Sequence, residues 1–377
     1  MKITSVETFT YWINWCNWLF VKIETDEGLV GWGEGSLHGA IKSVEAAIGE
    51  LSLYLVGKDP SGVEAHWQAM YHAWRWRGGA TLSTALGALD IALWDLEGKR
   101  LGVPVYRLLG GPFRKRLRVY ASHWLTGATT PDQAFSGAQE AVGRGFSALK
   151  WSPFNRDRLR ENEAREISRA TDMMAAARAG AGSDAEIFVE CGEQLSPRTA
   201  VIAATAFLPY RPGWFEEPIP FENAKAMIAL QREMPVPIAT GERLLSRWEF
   251  RELLEGAGCK IIQPDVMHGA GITEMRKIAS MADMYYIPVA PHNPGGPICN
   301  LAAAHVAAAI PNFLILEQME NERSLRDELC THPIHYSDGS YELSDRPGLG
   351  TDLNLEILRA RAYKLQPISG SQDSLWR

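Results

Sequence analysis

Six short apolar runs in the second half of the chain each end in an ionisable residue, at a nearly constant interval. Ile187-Phe188-Val189 leads to Glu190, Trp214-Phe215 to Glu216, and Ile238-Ala239-Thr240-Gly241 to Glu242. Lys260-Ile261-Ile262-Gln263-Pro264 then leads to Asp265, Ile287-Pro288-Val289-Ala290-Pro291 to His292, and Phe313-Leu314-Ile315-Leu316 to Glu317. The steps between these ends are 26, 26, 23, 27 and 25 positions. Helical patterns at 224–232, 248–257, 273–282 and 299–309 fill the intervals. A buried strand followed by a helix at this repeat is a βα unit, and right-handed crossovers make its strands parallel. Strands covered on both faces read as continuous apolar runs, as these do. The pattern predicts an α/β fold, a TIM-type (β/α) barrel with all six ionisable ends at the carboxyl rim, where such barrels carry their chemistry.

The first third of the chain reads differently. Alternating runs at 2–10, 18–25 and 29–34 form a meander with Asp26-Glu27-Gly28 as a turn, and helices follow at 41–55, 63–77 and 81–101. Gly110-Gly111-Pro112 breaks the pattern before a first barrel strand at 117–122 and a second at 148–150. The expected division is an N-terminal α+β capping region over 1–115, the barrel over 116–345, and a C-terminal segment over 346–377.

Bulk properties narrow the functional class. A net charge of -7 without a Lys/Arg run argues against nucleic acid as a partner. The chain shows no apolar run long enough to span a bilayer, and it opens on a strand pattern rather than a signal peptide. Five scattered cysteines without a CxxC pair favour a reducing cytoplasm.

A single carboxylate after a strand usually caps a helix or pairs with a surface cation. Three brought to one rim cost repulsion and desolvation that a cation offsets. Glu190, Glu216 and Glu242 therefore read as ligands of one divalent ion, and oxygen-only ligation suits Mg²⁺, with Mn²⁺ next. His292 in phase with Asp265 reads as a base oriented by a carboxylate, although a lone His between Pro291 and Asn293 is more often a loop residue.

The segment Ala85-Leu86-Gly87-Ala88-Leu89-Asp90-Ile91-Ala92-Leu93-Trp94-Asp95-Leu96-Glu97-Gly98-Lys99 resembles the signature helix of the mandelate racemase and muconate lactonizing branch of the enolase superfamily. A helix packing two domains together would explain Asp90 and Asp95 equally well. The resemblance implies a Mg²⁺ site at Glu190, Glu216 and Glu242, a seventh-strand His292 paired with sixth-strand Asp265, and an eighth-strand Glu317. It implies abstraction of the proton beside a carboxylate to give an enediolate, with a Lys or His base and Mg²⁺. Lys150 would add a second positive charge, and Glu317 would bond the substrate or form a structural ion pair. The tail would return to the capping region, and the chain would form a homo-oligomer.

Two positions depart from the family pattern. Racemases of this branch carry Lys-x-Lys on the second strand, where Lys150-Trp151-Ser152 has Ser152 in the second place. Galactonate-type dehydratases place a His two residues after the third-strand ligand, where this chain has Gly192. The stretches Lys150-Trp151-Ser152-Pro153-Phe154, Ile310-Pro311-Asn312-Phe313 and Arg346-Pro347-Gly348-Leu349-Gly350 resemble the gluconate and galactonate dehydratases. The expected reaction is dehydration of an acid sugar to a 2-keto-3-deoxy acid, with His292 taking the α-proton and returning it to the departing hydroxyl. A racemase, epimerase or cycloisomerase, a metal-dependent hydrolase and a catalytically silent metal-binding barrel are the rivals. Trp15, His38, Arg75, Arg77, His123 and Ser152 are the candidate substrate contacts. For Arg75 and Arg77 the competing role is charge completion at a helix end, and for the Trp12-to-Trp18 loop it is core packing.

Overall fold

Alternation in the first segment produces β1 (Ile3–Trp12), β2 (Asn17–Thr25) and β3 (Val30–Glu34), an antiparallel sheet in the order β1-β2-β3. Helices α1 (Ile41–Leu55), α2 (Val63–His72) and α3 (Ala80–Leu101) follow, and α3 lies directly on β3. Glycine makes that approach available: a Cβ at Gly31 would stand 2.3 Å from the Ala92 carbonyl oxygen, and one at Gly33 1.9 Å from that of Ala88. Helix α2 stops short of the expected residue 77. Gly78 and Gly79, at φ +82° and +79°, turn the chain, and the helix ends ahead of them. This computed structural model describes residues 1–366.

A short helix α4 (Val105–Leu108) leads into the alternating part. There β4 (Arg116–Ser122), α5 (Pro131–Gly143), β5 (Ala148–Trp151), α6 (Arg156–Glu161), α7 (Glu163–Ala181), β6 (Glu186–Glu190) and α8 (Pro197–Phe207) come first. Next are β7 (Pro212–Glu216), α9 (Ala224–Glu233), β8 (Ile238–Thr240), α10 (Arg247–Glu255), β9 (Ile261–Ile262) and α11 (Gly271–Asp283). Strands β4 to β9 pair in parallel in sequence order. After α12 (Pro297–Ala309), β10 (Leu316–Met319) pairs in parallel with β4.

The run expected as a full strand at 287–292 is reduced to isolated bridges. Pro288 and Pro291 have no N–H to donate, which interrupts a regular ladder. The remaining groups still pair on both sides. Ile262 N–H donates to the Pro288 carbonyl at 3.0 Å and Ala290 N–H to Ile262 at 2.9 Å. On the other side, Val289 N–H donates to Asn312 and Leu314 N–H to Val289, both at 2.8 Å. The ladder therefore continues from β9 through Val289 to Phe313 and the strand that returns to β4.

Tyr120, Ala148, Phe188, Trp214, Ala239, Ile261, Ala290 and Ile315 form a buried cluster of their own, one residue from each of the eight strand positions. A layer with this composition is the filled interior of a closed (β/α) barrel. Phe188 and Trp214 stack within it at 3.4 Å. A region unread in the sequence follows: α13 (Arg323–Leu329), then the hairpin β11 (His335–Ser337) and β12 (Ser340–Glu342), whose second strand runs antiparallel to the start of β4.

The aspartates of α3 tie the parts together. Asp90 accepts from the Thr273 N–H at 2.9 Å and its hydroxyl at 2.6 Å, on α11. Asp95 accepts from Trp32 N–H in β3 and from Leu349 N–H in the C-terminal segment. The packing role anticipated for this helix is thus present. Helix α14 (Leu355–Ala360) packs near β1, and Lys364 N–H donates to Asn17 at 3.0 Å. Both contacts are with the first sheet; positions 367–377 of the expected C-terminal segment lie outside the described residues. Among the described residues no helix is long and apolar enough to cross a membrane.

Candidate active site

Strand alternation sends Glu190, at the end of β6, and Glu216, at the end of β7, to the same rim in register with each other. Glu242 stands two residues beyond β8. One carboxylate oxygen from each of the three lies within 4.8 Å of the others. Their charges are unequally tolerated. Burial and the neighbouring Glu216 push the pKa of Glu190 well above the carboxylate range. Burial would raise Glu216 too, but Lys150 overrides it and holds Glu216 low. A cluster in which one member resists ionisation, offering only oxygen donors, fits a hard divalent cation.

Lys150, 4% exposed, comes from β5 and spans the cluster. Its Nζ lies 2.5 Å from Glu216 Oε1, 3.0 Å from Glu317 Oε1 and 3.8 Å from Glu190 Oε2. Burial works against its charge, yet Glu216 and Glu317 hold its pKa well above the ordinary lysine value. Lys150 thus shares its positive charge between Glu216 and Glu317. Glu317 also accepts from Asn293 N–H at 2.9 Å, and Lys150 keeps its carboxyl ionised against the cost of burial.

Across from the carboxylates, His292 Nδ1 lies 2.9 Å from Asp265 Oδ2. A carboxylate only accepts, so Nδ1 carries a hydrogen and Nε2 is the ring nitrogen turned away from Asp265. Nε2 lies 3.4 Å from Glu242 Oε2, which points it at the cluster. Burial opposes charge on His292, but Glu242, Asp265 and Glu317 outweigh it and lift the pKa to about 9. Those are charges that a bound cation would counter.

The remaining expected residues divide into two groups. Trp15 and His38 meet edge to face at 4.8 Å, and Trp15 Nε1 donates to Glu322 at 2.8 Å, just beyond β10. His123 follows β4 at φ +59°, with Nδ1 3.0 Å from Ser122 Oγ. His38 and His123 are exposed residues, yet desolvation by the surrounding protein lowers both pKa values, aided at His38 by His268 and His292, which bring it to about 4, and at His123 by Lys150 and His292. Ser152 is exposed just past β5. Arg75 and Arg77 are exposed beyond α2, their guanidinium groups 5.8 Å over Trp76 and 5.9 Å over Tyr71.

Residues 7–110 match the family described as mandelate racemase / muconate lactonizing enzyme, N-terminal domain, and residues 134–357 match Enolase C-terminal domain-like. The chain belongs to the mandelate racemase / muconate lactonizing enzyme family of the enolase superfamily. A D-galactonate dehydratase from Ralstonia nicotianae is 39% identical over 96% of this chain and 95% of its own length. One from Pectobacterium atrosepticum is 37% identical over 96% and 94%. An enolase-superfamily member from Salmonella Typhimurium superposes with a TM-score of 0.89 at 33% identity, covering 95% of this chain and 97% of that one. An enolase from Agrobacterium radiobacter, bound to sodium and L-malate, superposes with a TM-score of 0.89 at 31% identity, covering 96% and 95%.

Enolase-superfamily enzymes bind a divalent metal, and the acidic cluster here could hold one. Behind it lies a group that the sequence reading missed. Arg243 Nη1 stands 2.7 Å from Glu242 Oε1 and 3.4 Å from Glu217 Oε2, and its Nε 3.4 Å from Glu193 Oε2. Glu217 is fully buried at φ +42° and is fixed by Thr240 Oγ1–H and Gly241 N–H. The Glu216-Glu217 doublet was the available signal: neighbouring residues at a strand end face opposite ways, so a second carboxylate there demands its own cation.

Proposed function

We propose that this enzyme dehydrates a sugar acid of the galactonate class to a 2-keto-3-deoxy acid, with Glu190, Glu216 and Glu242 holding one Mg²⁺. The observation carrying the reading is the three-glutamate cluster with the Asp265–His292 pair directed at it through Nε2, 3.4 Å from Glu242 Oε2. When bound, the cation supplies positive charge to the substrate carboxylate oxygens, where the negative charge of the enediolate collects.

His292 Nε2 takes the proton from C2 and becomes the imidazolium that Asp265 stabilises. The C3–O bond then breaks, and His292 returns the proton to the departing hydroxyl, releasing water. The resulting enol gains a proton at C3 as it becomes the 2-keto-3-deoxy acid. Return by the same imidazole requires a syn elimination, which the glycine at position 192 favours over a second acid on β6. Lys150 and Glu317 position the carboxylate end. Trp15, His38, His123 and Ser152 form the candidate surface for the hydroxylated end, and the D-galactonate dehydratase relatives support a polyhydroxy acid there.

A two-base racemase is less well supported, because Ser152, in the place of the second lysine, is a weak proton acceptor. The test is incubation of D-galactonate and a panel of other aldonic acids with Mg²⁺, scoring 2-keto-3-deoxy acid. Deuterium entering C2 of recovered acid in D₂O without loss of water from any member would replace dehydration with epimerisation. We include self-association in the reading, and light scattering on the purified protein tests it.

A further inference from the structure

Glu34 is fully buried at the end of β3, in the capping sheet, far in sequence from the catalytic groups. Both of its oxygens are used across the boundary with the barrel. Oε1 accepts from Gly296 N–H at 2.5 Å, the residue just before α12, and Oε2 from Cys299 N–H at 2.9 Å in its first turn. Helix α12 has no cap from its own side chains, so the carboxylate of another region supplies it. On the capping side, Ser36 Oγ–H donates to Glu34 Oε1 at 2.7 Å, and Leu19 N–H donates to Ser36.

What Glu34 holds is the loop that follows the catalytic imidazole. Asn293, the next residue after His292, donates its N–H to Glu317 Oε2, and Cys299 Sγ–H donates to Asn293 Oδ1. Arg326 donates to the carbonyls of Asn293 and Gly295. The loop has little free space. A Cβ at Gly295 would meet Met267 Cε at 2.7 Å, and one at Gly296 would stand 3.0 Å from both Glu34 Oε1 and Phe20 Cζ. Residue 296 must therefore be small for the carboxylate to reach the helix end. The path from the capping sheet to the base is short: Glu34 to Cys299, Cys299 to Asn293, and Asn293 to both His292 and Glu317.

We propose that Glu34 is a positioning residue through which correct seating of the capping sheet fixes His292 and Glu317 for proton transfer. The proposal rests on the proton-transfer role assigned to His292 above. Breaking the contact displaces first the loop that carries the base, whereas Glu190, Glu216 and Glu242 come from other strands, so proton transfer falls more than binding of the cation or of the acid.

Glu34→Gln is the direct test, because the amide nitrogen then faces an N–H donor. With D-galactonate as substrate, kcat and the rate of C2 proton exchange should fall about tenfold or more, while KM and Mg²⁺ affinity by calorimetry stay within about twofold. A merely structural role lowers the melting temperature and leaves kcat well below that temperature unchanged; that outcome overturns the proposal. Gly296→Ala, at φ -77°, keeps an ordinary backbone and pushes the contact apart, so it covers the case in which Glu34→Gln does not fold. It should give the same kcat-selective loss, and an unchanged kcat counts against us. A third readout needs no turnover. In protein labelled with ¹³Cε1-histidine, the His292 signal, identified by its disappearance in His292→Asn, should shift in Glu34→Gln. An unmoved signal overturns the proposal, whereas inactivity of the wild type toward every acid with a shifted signal faults only the assigned reaction.

Discussion

Asp265 reaches His292 with Oδ2 2.9 Å from Nδ1, while its other oxygen accepts the backbone N–H groups of Met267 and His268 at 2.7 and 3.1 Å. The carboxylate is thus fixed before it meets the ring, and the ring has one tautomer available. Asp265→Asn can turn an amide N–H toward Nδ1 and reverse that tautomer, placing hydrogen on Nε2, where the base needs a lone pair. We expect kcat to fall by roughly 10²–10⁴-fold with little change in KM and an unchanged far-UV spectrum. Steady-state kinetics and C2 exchange in D₂O measure it. Exchange at the wild-type rate would remove His292 from the role of base.

Lys150 gives the second prediction. Lys150→Met leaves Glu216 and Glu317, each 2% exposed or less, without their shared cation. Removing one partner of such a buried pair costs about 3–5 kcal/mol. A cation held by Glu190, Glu216 and Glu242 would compensate Glu216 in place of the lysine, so the rise in melting temperature between EDTA and Mg²⁺ should be larger in Lys150→Met than in the wild type. Equal rises in the two proteins would show that cation and lysine do not share those charges.

The two faces of the mouth should respond oppositely. Trp15→Phe keeps the ring but leaves Glu322, 2% exposed, without the indole N–H at 2.8 Å. A buried acceptor left without its partner costs about 1–3 kcal/mol, which favours an open loop and a KM raised roughly tenfold at similar kcat. Arg75→Ala removes an exposed guanidinium resting on Trp76, and its KM should stay within about twofold. Substrate-saturation curves for the two variants decide it. A Trp15→Phe enzyme with normal KM, or a large KM effect at Arg75, reverses the assignment of the polar contacts.

Periodicity made the barrel legible because each strand buried on both faces needs a continuous apolar run, and its rim residue inherits the spacing. Glu190, Glu216, Glu242, Asp265, His292 and Glu317 all come from that one signal. It overreached at 287–292, where apolar character suits the barrel but Pro288 and Pro291 cannot complete a regular ladder. The hairpin around Asp338-Gly339 went unread although an Asp-Gly between alternating residues is a turn signal. Arg243 with Glu193 and Glu217, and Trp15 with Glu322, were out of reach for another reason. Those contacts join positions far apart in the chain, and nothing in either local pattern names the partner. Asp90 and Asp95 lay between these cases. Their place on an apolar helix announced a buried partner without saying which.

The last prediction concerns Asp90, remote from the rim. Burial lifts its carboxyl pKa to about 7 against the Thr273 hydrogen bonds that favour ionisation. A carboxyl raised in the folded state keeps its proton after the unfolded chain has released it. Between about pH 4 and pH 7 the unfolded state therefore binds fewer protons, and stability falls as pH rises; above pH 7 both states are ionised and the slope vanishes. The full difference is on the order of 4 kcal/mol. Asp90→Asn cannot titrate. With its amide oxygen turned into the place of Oδ2 it accepts from Thr273 N–H, and the Thr273 hydroxyl can turn to accept from the amide nitrogen. The melting temperature of the wild type minus that of Asp90→Asn should be positive near pH 5 and should decline toward pH 8. Parallel melting curves across that range would show that Asp90 is ionised throughout and that the α3–α11 junction tolerates a full buried charge.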